Sequence, residues 1–132
     1  MVRQRQKEPF RMIVACVDFS ENARRAALRA AEVACQDGAQ LELLTVYQVP
    51  IIAAAEPGGL GPIFPPYYSD EIIKEIQAKI NEFAAEVAEH GGGLEVRTKV
   101  IQKIGISTGI VERLLEVEAD LVVLGTPGPH RP

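Results

Sequence analysis

The stretch DLVVLGTPG, residues 120–128, decides the predicted fold. Its four consecutive apolar residues, 121–124, are typical of a strand in the middle of a parallel sheet, where helices cover both faces. Gly125 and Gly128 let the backbone turn sharply, or approach a ligand closely, where this strand ends. Because ligands bind at the carboxyl ends of the strands in open α/β sheets, we expect a binding loop at these glycines.

Three more strands are predicted upstream of this stretch. The segment RMIVACVD, residues 11–18, and the segment LELLTV, residues 41–46, are nearly continuous apolar runs, and residues 47–49 are a candidate extension of the second. The segment EVRTKVI, residues 95–101, instead alternates polar and apolar side chains. That alternation favours a strand nearer the edge of the sheet.

Three helices are predicted between the strands. Ser20 is the expected N-cap of the first helix, which ends at Gly38. Asp70 or Ser69 is expected to cap the second helix, and Ser107 or Thr108 the third. The apolar positions of the first helix are alanines spaced three and four apart: Ala23, Ala26, Ala27, Ala30, Ala31 and Ala34. Those of the second helix are Ile72, Ile76, Ile80, Phe83 and Val87, before three glycines at 91–93. Those of the third helix are Ile110, Val111, Leu114 and Leu115.

The resulting order, β-α-β-loop-α-β-α-β, predicts an α/β protein with an open parallel sheet and helices on both faces. The topological switch point is expected between the first strand and the strand of residues 121–124. Asp18 and Gly125 would then lie at neighbouring carboxyl ends, where a ligand binds.

The length of 132 residues predicts one domain over residues 11–132, preceded by a flexible tail over residues 1–10. Residues 50–69 form a predicted loop with five prolines and three glycines, too many for a regular helix or strand. Several apolar side chains within this loop indicate that part of it packs on its own domain or on a partner.

Composition argues against several function classes. A net charge of −4 does not suit a general nucleic-acid binder. The sequence contains no uninterrupted run of 18 apolar residues, so no membrane span is expected. Cys16 and Cys35 lack the spacing of a zinc site and are expected to be small buried side chains in a reducing compartment. His90 is expected to cap a helix end, and no catalytic acid/base pair or metal ligand set is predicted.

The candidate binding residues lie at three strand ends. Asp18 suits a ribose hydroxyl, the backbone at Val46 suits a base edge, and the N–H groups at Gly125 and Gly128 suit phosphate. The alternative interpretation is that Asp18 and the two glycines are only turn residues.

The motifs together resemble one known family. The segments VDFSENARRAALRAA (17–31), LELLTV (41–46) and ADLVVLGTPG (119–128), with Gly105 before the third helix, resemble the universal stress protein family. The resemblance covers residues 11–128. It implies an adenine-nucleotide α-hydrolase-like, Rossmann-like sandwich. One branch of the family binds ATP and another does not.

The resemblance to the ATP-binding branch implies roles for particular residues. Asp18 matches the aspartate that contacts the nucleotide, and Val46 matches the residue whose backbone contacts adenine. Gly125 and Gly128 match the first half of the phosphate motif, whereas the second half would follow Pro132. The predicted nucleotide-binding set is Cys16, Val17, Asp18, Ser20, Val46, Leu124, Gly125 and Gly128.

The expected function is that of a cytoplasmic, non-catalytic stress-response domain with adenine nucleotide, ATP with Mg²⁺, as a regulatory ligand. Slow ATP hydrolysis ranks last. The alternative is a family member without nucleotide that acts through dimerisation and protein–protein contacts. The family's final helix and fifth strand, which commonly makes a homodimer contact, would follow Pro132. Without them, the apolar strand of residues 121–124 would lie at an open edge of the sheet, where pairing with another strand is a hazard. Three explanations for this stay open: the sequence stops where an ordered segment stops, a partner chain completes the sheet, or the chain is a shortened member of the family.

Overall fold

The computed structural model describes residues 8–48 and 70–125, and these form a four-stranded sheet with three helices. In chain order the elements are β1 (Met12–Cys16), α1 (Glu21–Asp37), β2 (Gln40–Gln48), α2 (Asp70–His90), β3 (Val96–Lys103), α3 (Ile106–Val117) and β4 (Leu121–Leu124). The predicted loop at 50–69, Gly128 and residues 1–7 of the predicted tail lie outside the described residues. At the end of that tail, the N–H of Phe10 donates to Asp37 Oδ2 over 2.9 Å.

All neighbouring strands pair in parallel, in the order β3-β2-β1-β4. Cys16 lies opposite Leu44 on one side and Leu124 on the other, so β1 is central and β4 is its neighbour. The predicted switch point between β1 and β4 is therefore confirmed. The prediction that β3 lies nearer an edge is also confirmed within the described sheet.

The strand β4 lies at an open edge of the described sheet, which is the position predicted for it when no further strand pairs with it. Leu121 and Val123 pack against the core, but Val122 and Leu124 point to the opposite face and are 37% and 54% exposed. Among the described elements, α3 packs mainly over β1, β2 and β3 and does not cover that face of β4.

The two faces of the sheet have different cores. On one face Ile13, Ala15 and Val17 pack under α1 and α2. The predicted alanine face of α1 is confirmed, because five of its six alanines are buried and lie close to the sheet. On the other face Met12 and Val14 of β1 pack under α3, so helices do cover both faces. Ser20 caps α1 and Gly38 ends it in the left-handed conformation (φ 67°), both as predicted.

The N-terminus of α3 differs from the prediction. The helix begins at Ile106 after Gly105, which makes no side-chain capping bond, so neither Ser107 nor Thr108 is the cap. Val111 and Leu115, predicted on the apolar face, are 53% and 74% exposed. The other two predicted residues, Ile110 and Leu114, do pack toward the sheet. The face that the helix turns to the sheet also includes Gly109, Arg113 and Val117.

Arg113 pairs with a buried carboxylate on β2. Glu42 is only 1% exposed, and its two oxygens accept from Nε and Nη2 of Arg113, each over 2.8 Å. Arg97 of β3 also donates to Glu42, over 3.4 Å. Burial by itself raises the pKa of Glu42, but the hydrogen bonds and charge of Arg113 outweigh it and the pKa is lowered. This ion pair fixes α3 on the sheet.

Hydrogen bonds also connect the start of β4 to β1. Asp120 accepts from the N–H groups of Arg11 and Met12, each over 2.9 Å, and these bonds lower its pKa. The prediction that both cysteines are buried is wrong for Cys35, which lies on the exposed side of α1, and Cys16 is half-buried. His90 forms a contact of 2.9 Å between its Nε2 and Glu32 Oε2.

Candidate functional site

The turn after β1 presents Asp18 at the carboxyl edge of the sheet. The last backbone bond between β1 and β2 runs from the N–H of Val17 to the carbonyl of Leu44 over 2.8 Å. Asp18 Oδ1 then accepts from the N–H of Ser20 over 2.9 Å. Hydrogen bonds from Ser20, first its hydroxyl and then its N–H, lower the pKa of Asp18. Asp18 is therefore a carboxylate at neutral pH, and a carboxylate only accepts hydrogen bonds.

Ser20 has a structural role within this turn. Its Oγ accepts from the N–H of Ala23 over 3.2 Å and so caps α1. Its contacts hold the carboxylate of Asp18 and the first turn of α1 in one arrangement. Ser20 contacts the predicted site residue Asp18 but does not itself line the pocket in front of it.

The end of β2 supplies backbone groups to the same edge. Because the carbonyl of Leu44 faces β1 and backbone directions alternate along a strand, the N–H and carbonyl of Val46 also face the β1 side. The β1–β2 register ends at Cys16 and Leu44, two residues earlier. The N–H and carbonyl of Val46 are therefore directed past the last paired residues of β1 and β2.

The end of β4 lies against the first turn of α1. A Cβ atom at Gly125 would lie 2.6 Å from both the nitrogen and the Cα of Ala23, and 2.7 Å from the carbonyl carbon of Asn22. These are backbone atoms of a helix and cannot move aside independently. Glycine at position 125 is thus required for close packing, which brings the end of β4 beside the capped end of α1.

These three strand ends enclose a pocket of about 220 Å³. Six of the eight predicted residues line it: Cys16, Val17, Asp18, Val46, Leu124 and Gly125. Sequence reasoning missed the remaining four, which are Ala23, Leu44, Ile106 and Ile110. Ile106 and Ile110 bring α3 into the wall, and their spacing of four on one helix was the signal that pointed to a shared face.

A second glycine brings α3 close to this wall. A Cβ atom at Gly109 would lie 2.8 Å from Cγ1 of Val46 and 3.1 Å from Cγ of Lys103. Gly109 is also the buried residue of the helix. Because it carries no side chain, α3 packs directly on β2, and Ile106 and Ile110 reach the pocket from that position.

The pocket is apolar except at one end. Among the described residues that line it, Asp18 is the only charged one. Burial raises the pKa of the Cys16 thiol to about 11, so it is a neutral side chain in the wall. Residues 8–48 and 70–125 contain no cluster of His, Cys, Asp or Glu that could hold a metal ion, and none of their helices is long and apolar enough to cross a bilayer.

Comparison with known proteins agrees with this architecture. A family model described as the universal stress protein family matches residues 9–132. The chain belongs to the universal stress protein family. Its sheet and helices form the adenine-nucleotide α-hydrolase-like fold expected of that family. Among curated proteins, none matches this family member.

Solved structures of universal stress proteins share the fold. The protein UspA of Lactobacillus plantarum is 23% identical, with a TM-score of 0.70, over 96% of this chain and 86% of that one. The Archaeoglobus fulgidus protein in complex with dAMP is 20% identical, with a TM-score of 0.63, over 89% and 82% of the two chains. A universal stress protein in complex with cAMP is 23% identical, with a TM-score of 0.59, over 86% and 70%.

Proposed function

We propose that this universal stress protein binds an adenine nucleotide, ATP, as a regulatory ligand in the cytoplasm. The observation that carries the proposal is the pocket at the β1–β4 switch point, where an apolar cavity ends at one ionised carboxylate. Two proteins of the same fold, each under 25% identical, are in complex with cAMP and with dAMP. Those complexes support an adenine nucleotide as the ligand class.

The apolar part of the pocket suits the base. Leu44, Ile106, Ile110 and Leu124 offer side chains to the faces of a planar ring. Beside them, the N–H and carbonyl of Val46 offer one donor and one acceptor to its edge. Adenine presents a ring nitrogen and an exocyclic amine side by side, so this pair of backbone groups is complementary to it.

The polar end suits the sugar. Asp18 accepts hydrogen bonds only, and a ribose offers hydroxyl donors. The phosphates then extend past Gly125, away from the negative charge of Asp18. A volume of about 220 Å³ lies below the roughly 300–1,000 Å³ of typical ligand pockets, so the described walls hold the nucleoside part of the ligand.

A regulatory role fits this chemistry better than a catalytic one. Among the described residues lining the pocket there is no histidine or lysine to move a proton, and Asp18 is held in its ionised form by Ser20. Hydrolysis of ATP would require a positioned water and a group to orient it. We therefore propose ligand binding without turnover, with Mg²⁺ carried by the nucleotide.

Isothermal titration calorimetry with ATP and Mg²⁺, cAMP and dAMP tests the proposal. A dissociation constant below about 100 μM for any of them corresponds to more than about 5 kcal/mol of binding free energy. At 100 times its dissociation constant, the nucleotide should also stabilise the fold by roughly 2.7 kcal/mol. No heat and no thermal shift at millimolar nucleotide would sink the proposal.

The variant Asp18→Asn tests the role of the carboxylate. Loss of one charge-assisted hydrogen bond, about 1.5–3 kcal/mol, should weaken nucleotide binding at least tenfold. Asp37→Asn is the matched control, because Asp37 also accepts one backbone N–H but lies at the opposite edge of the sheet. Equal affinities for the two variants would show that Asp18 is only a turn residue.

A second candidate function rests on the exposed side of β4. Val122 and Leu124 there, and Val111 and Leu115 on α3, are large apolar side chains open to solvent, and edge strands pair readily with other strands. A stress protein that acts through a homodimer would use such a surface. Sedimentation equilibrium of the wild type and of Val122→Lys separates the two candidate functions. The second is supported if the wild type is a dimer that binds no nucleotide and the Val122→Lys variant is a monomer.

A further inference from the structure

Phe19, between Asp18 and Ser20, has a backbone conformation that phenylalanine rarely adopts. Its φ is 64°, in the left-handed region, where a Cβ atom is disfavoured. A residue held there depends on its surroundings to stay there. The turn that presents Asp18 is stabilised locally by the bond from Ser20 to Asp18, and contacts of the Phe19 side chain are a further means of holding it.

The surroundings of Phe19 lie on the other face of the sheet from the nucleotide pocket. Its ring lines a cleft of about 270 Å³ between α1 and α2, with Phe83 as a second aromatic wall. The ammonium of Lys79, on α2, lies 4.9 Å from the centroid of the Phe19 ring. At this distance a cation is attracted to the face of an aromatic ring.

The other charged side chains of the cleft do not form an ion pair with Lys79. Arg24 pairs with Glu86 across the cleft and with Glu21 along α1. Glu82 also lines the cleft. Within residues 8–48 and 70–125, Lys79 forms no ion pair with a carboxylate, and its ammonium contacts the ring of Phe19.

We propose that Phe19 and Lys79 are positioning residues for the nucleotide pocket: the ring, held under the Lys79 ammonium, fixes the left-handed turn that presents Asp18. The inference rests on the proposed function. Three successive contacts transmit this position. Phe19 sets the turn, Ser20 joins the Asp18 carboxylate to the cap of α1 at Ala23, and Ala23 packs against Gly125.

Lys79→Met is the test, since it keeps the length of the side chain and removes the charge. Loss of an exposed cation–π contact should weaken ATP binding by about twofold to fivefold. Lys79→Arg should restore it, because a guanidinium also binds the face of a ring. Lys74→Met is the matched control on the exposed side of the same helix and should bind ATP as the wild type does.

A second readout needs no nucleotide. The carboxyl pKa of Asp18, followed by NMR in the free protein, is expected to rise toward its ordinary value in Lys79→Met and in Phe19→Ala, because the bonds from Ser20 are weakened. It should stay low in Lys74→Met. If Phe19→Ala does not fold, Lys79→Met decides the matter alone.

Three outcomes separate the possibilities. Weaker binding and a raised Asp18 pKa in Lys79→Met, both reversed in Lys79→Arg, support the positioning role. A lower melting temperature with affinity and pKa unchanged would overturn it, since the contact would then only stabilise the fold. If the wild type binds no adenine nucleotide, the proposed function fails, and the pKa of Asp18 still decides whether Phe19 and Lys79 hold the turn.

Discussion

The variant Arg113→Met probes how α3 is held over the pocket. Arg113 is 15% exposed at its side chain and Glu42 only 1%, so the change leaves a carboxylate buried with Arg97 as its remaining cation. Removal of one partner from a buried ion pair costs about 3–5 kcal/mol. The Nη2 of Arg97 lies farther from Glu42 Oε1, at 3.4 Å, and is half in solvent, so we expect a loss near 3 kcal/mol.

Urea unfolding at pH 7 measures this loss, and thermal unfolding should show a melting temperature lower by roughly 10 °C. Arg97→Met is the matched control, because it removes the exposed cation from the same carboxylate. It should cost less than about 1 kcal/mol. The double variant Glu42→Leu with Arg113→Met should recover most of the stability, since apolar residues often replace a buried ion pair without loss.

The pH dependence follows from the lowered pKa of Glu42. The stability that its ionised form contributes is fully present above the pKa of an unfolded glutamate, about 4.3, and is lost as pH falls through the lower folded value. The difference between wild type and Arg113→Met should therefore be largest near neutral pH. It should shrink as pH falls through the pKa of Glu42 in the variant, which burial raises when Arg113 is removed, because the protonated carboxyl needs no cation. A loss no larger than that of Arg97→Met, or a double variant no better than the single one, would refute the reasoning.

Three further changes test the turn, the helix contact and the pocket wall. Ser20→Ala should lower the free energy of unfolding by about 1 kcal/mol through loss of the cap, and Ser20→Asn should restore it; equal stability of the two would contradict the capping role. Gly109→Ala should cost about 1–3 kcal/mol by overpacking against Val46, and a gain in stability would show that α3 shifts freely. A thiol reagent at pH 8 should modify exposed Cys35 rapidly and half-buried Cys16 slowly, and ATP should slow only Cys16; protection of both would contradict the pocket assignment.

Much of the fold follows from local patterns. The apolar run of β1, the cap at Ser20, the alanine face of α1 and the turn at Gly38 each have a local physical cause, and each is confirmed. Alternation along β3 predicted its edge position for the same reason. The meeting of Asp18 and Gly125 also follows, because parallel strands end at one edge of the sheet.

The errors concern features that depend on distant contacts. Ser107 and Thr108 are good capping residues, but α3 begins at Ile106, one residue before the first of them. Its register on the sheet is fixed by Arg113, which pairs with Glu42 71 residues away. No local pattern reveals that pairing. A glutamate within an apolar strand was the one visible sign that a buried cation lay nearby.

The exposure of one face of β4 also depends on distant contacts. An apolar run indicates that a strand prefers apolar contacts, but it does not indicate which helices cover each face of the strand. Leu121 and Val123 find a core under α1, whereas the face with Val122 and Leu124 has no helix over it among the described elements. Coverage of a face depends on where the helices cross, and sequence periodicity carries no information about that.

Two glycines shape the pocket by what they allow to come close rather than by unusual backbone angles. Gly125 admits the backbone of Ala23, and Gly109 admits the side chain of Val46. Each brings one wall of the pocket closer to the strand ends. Asp18 then determines the orientation of the ligand, because its negative charge repels phosphate and its oxygens accept hydrogen bonds from hydroxyl groups. Under the proposed function, a nucleotide can therefore enter in one sense, with its base at Val46, its sugar at Asp18 and its phosphates past Gly125.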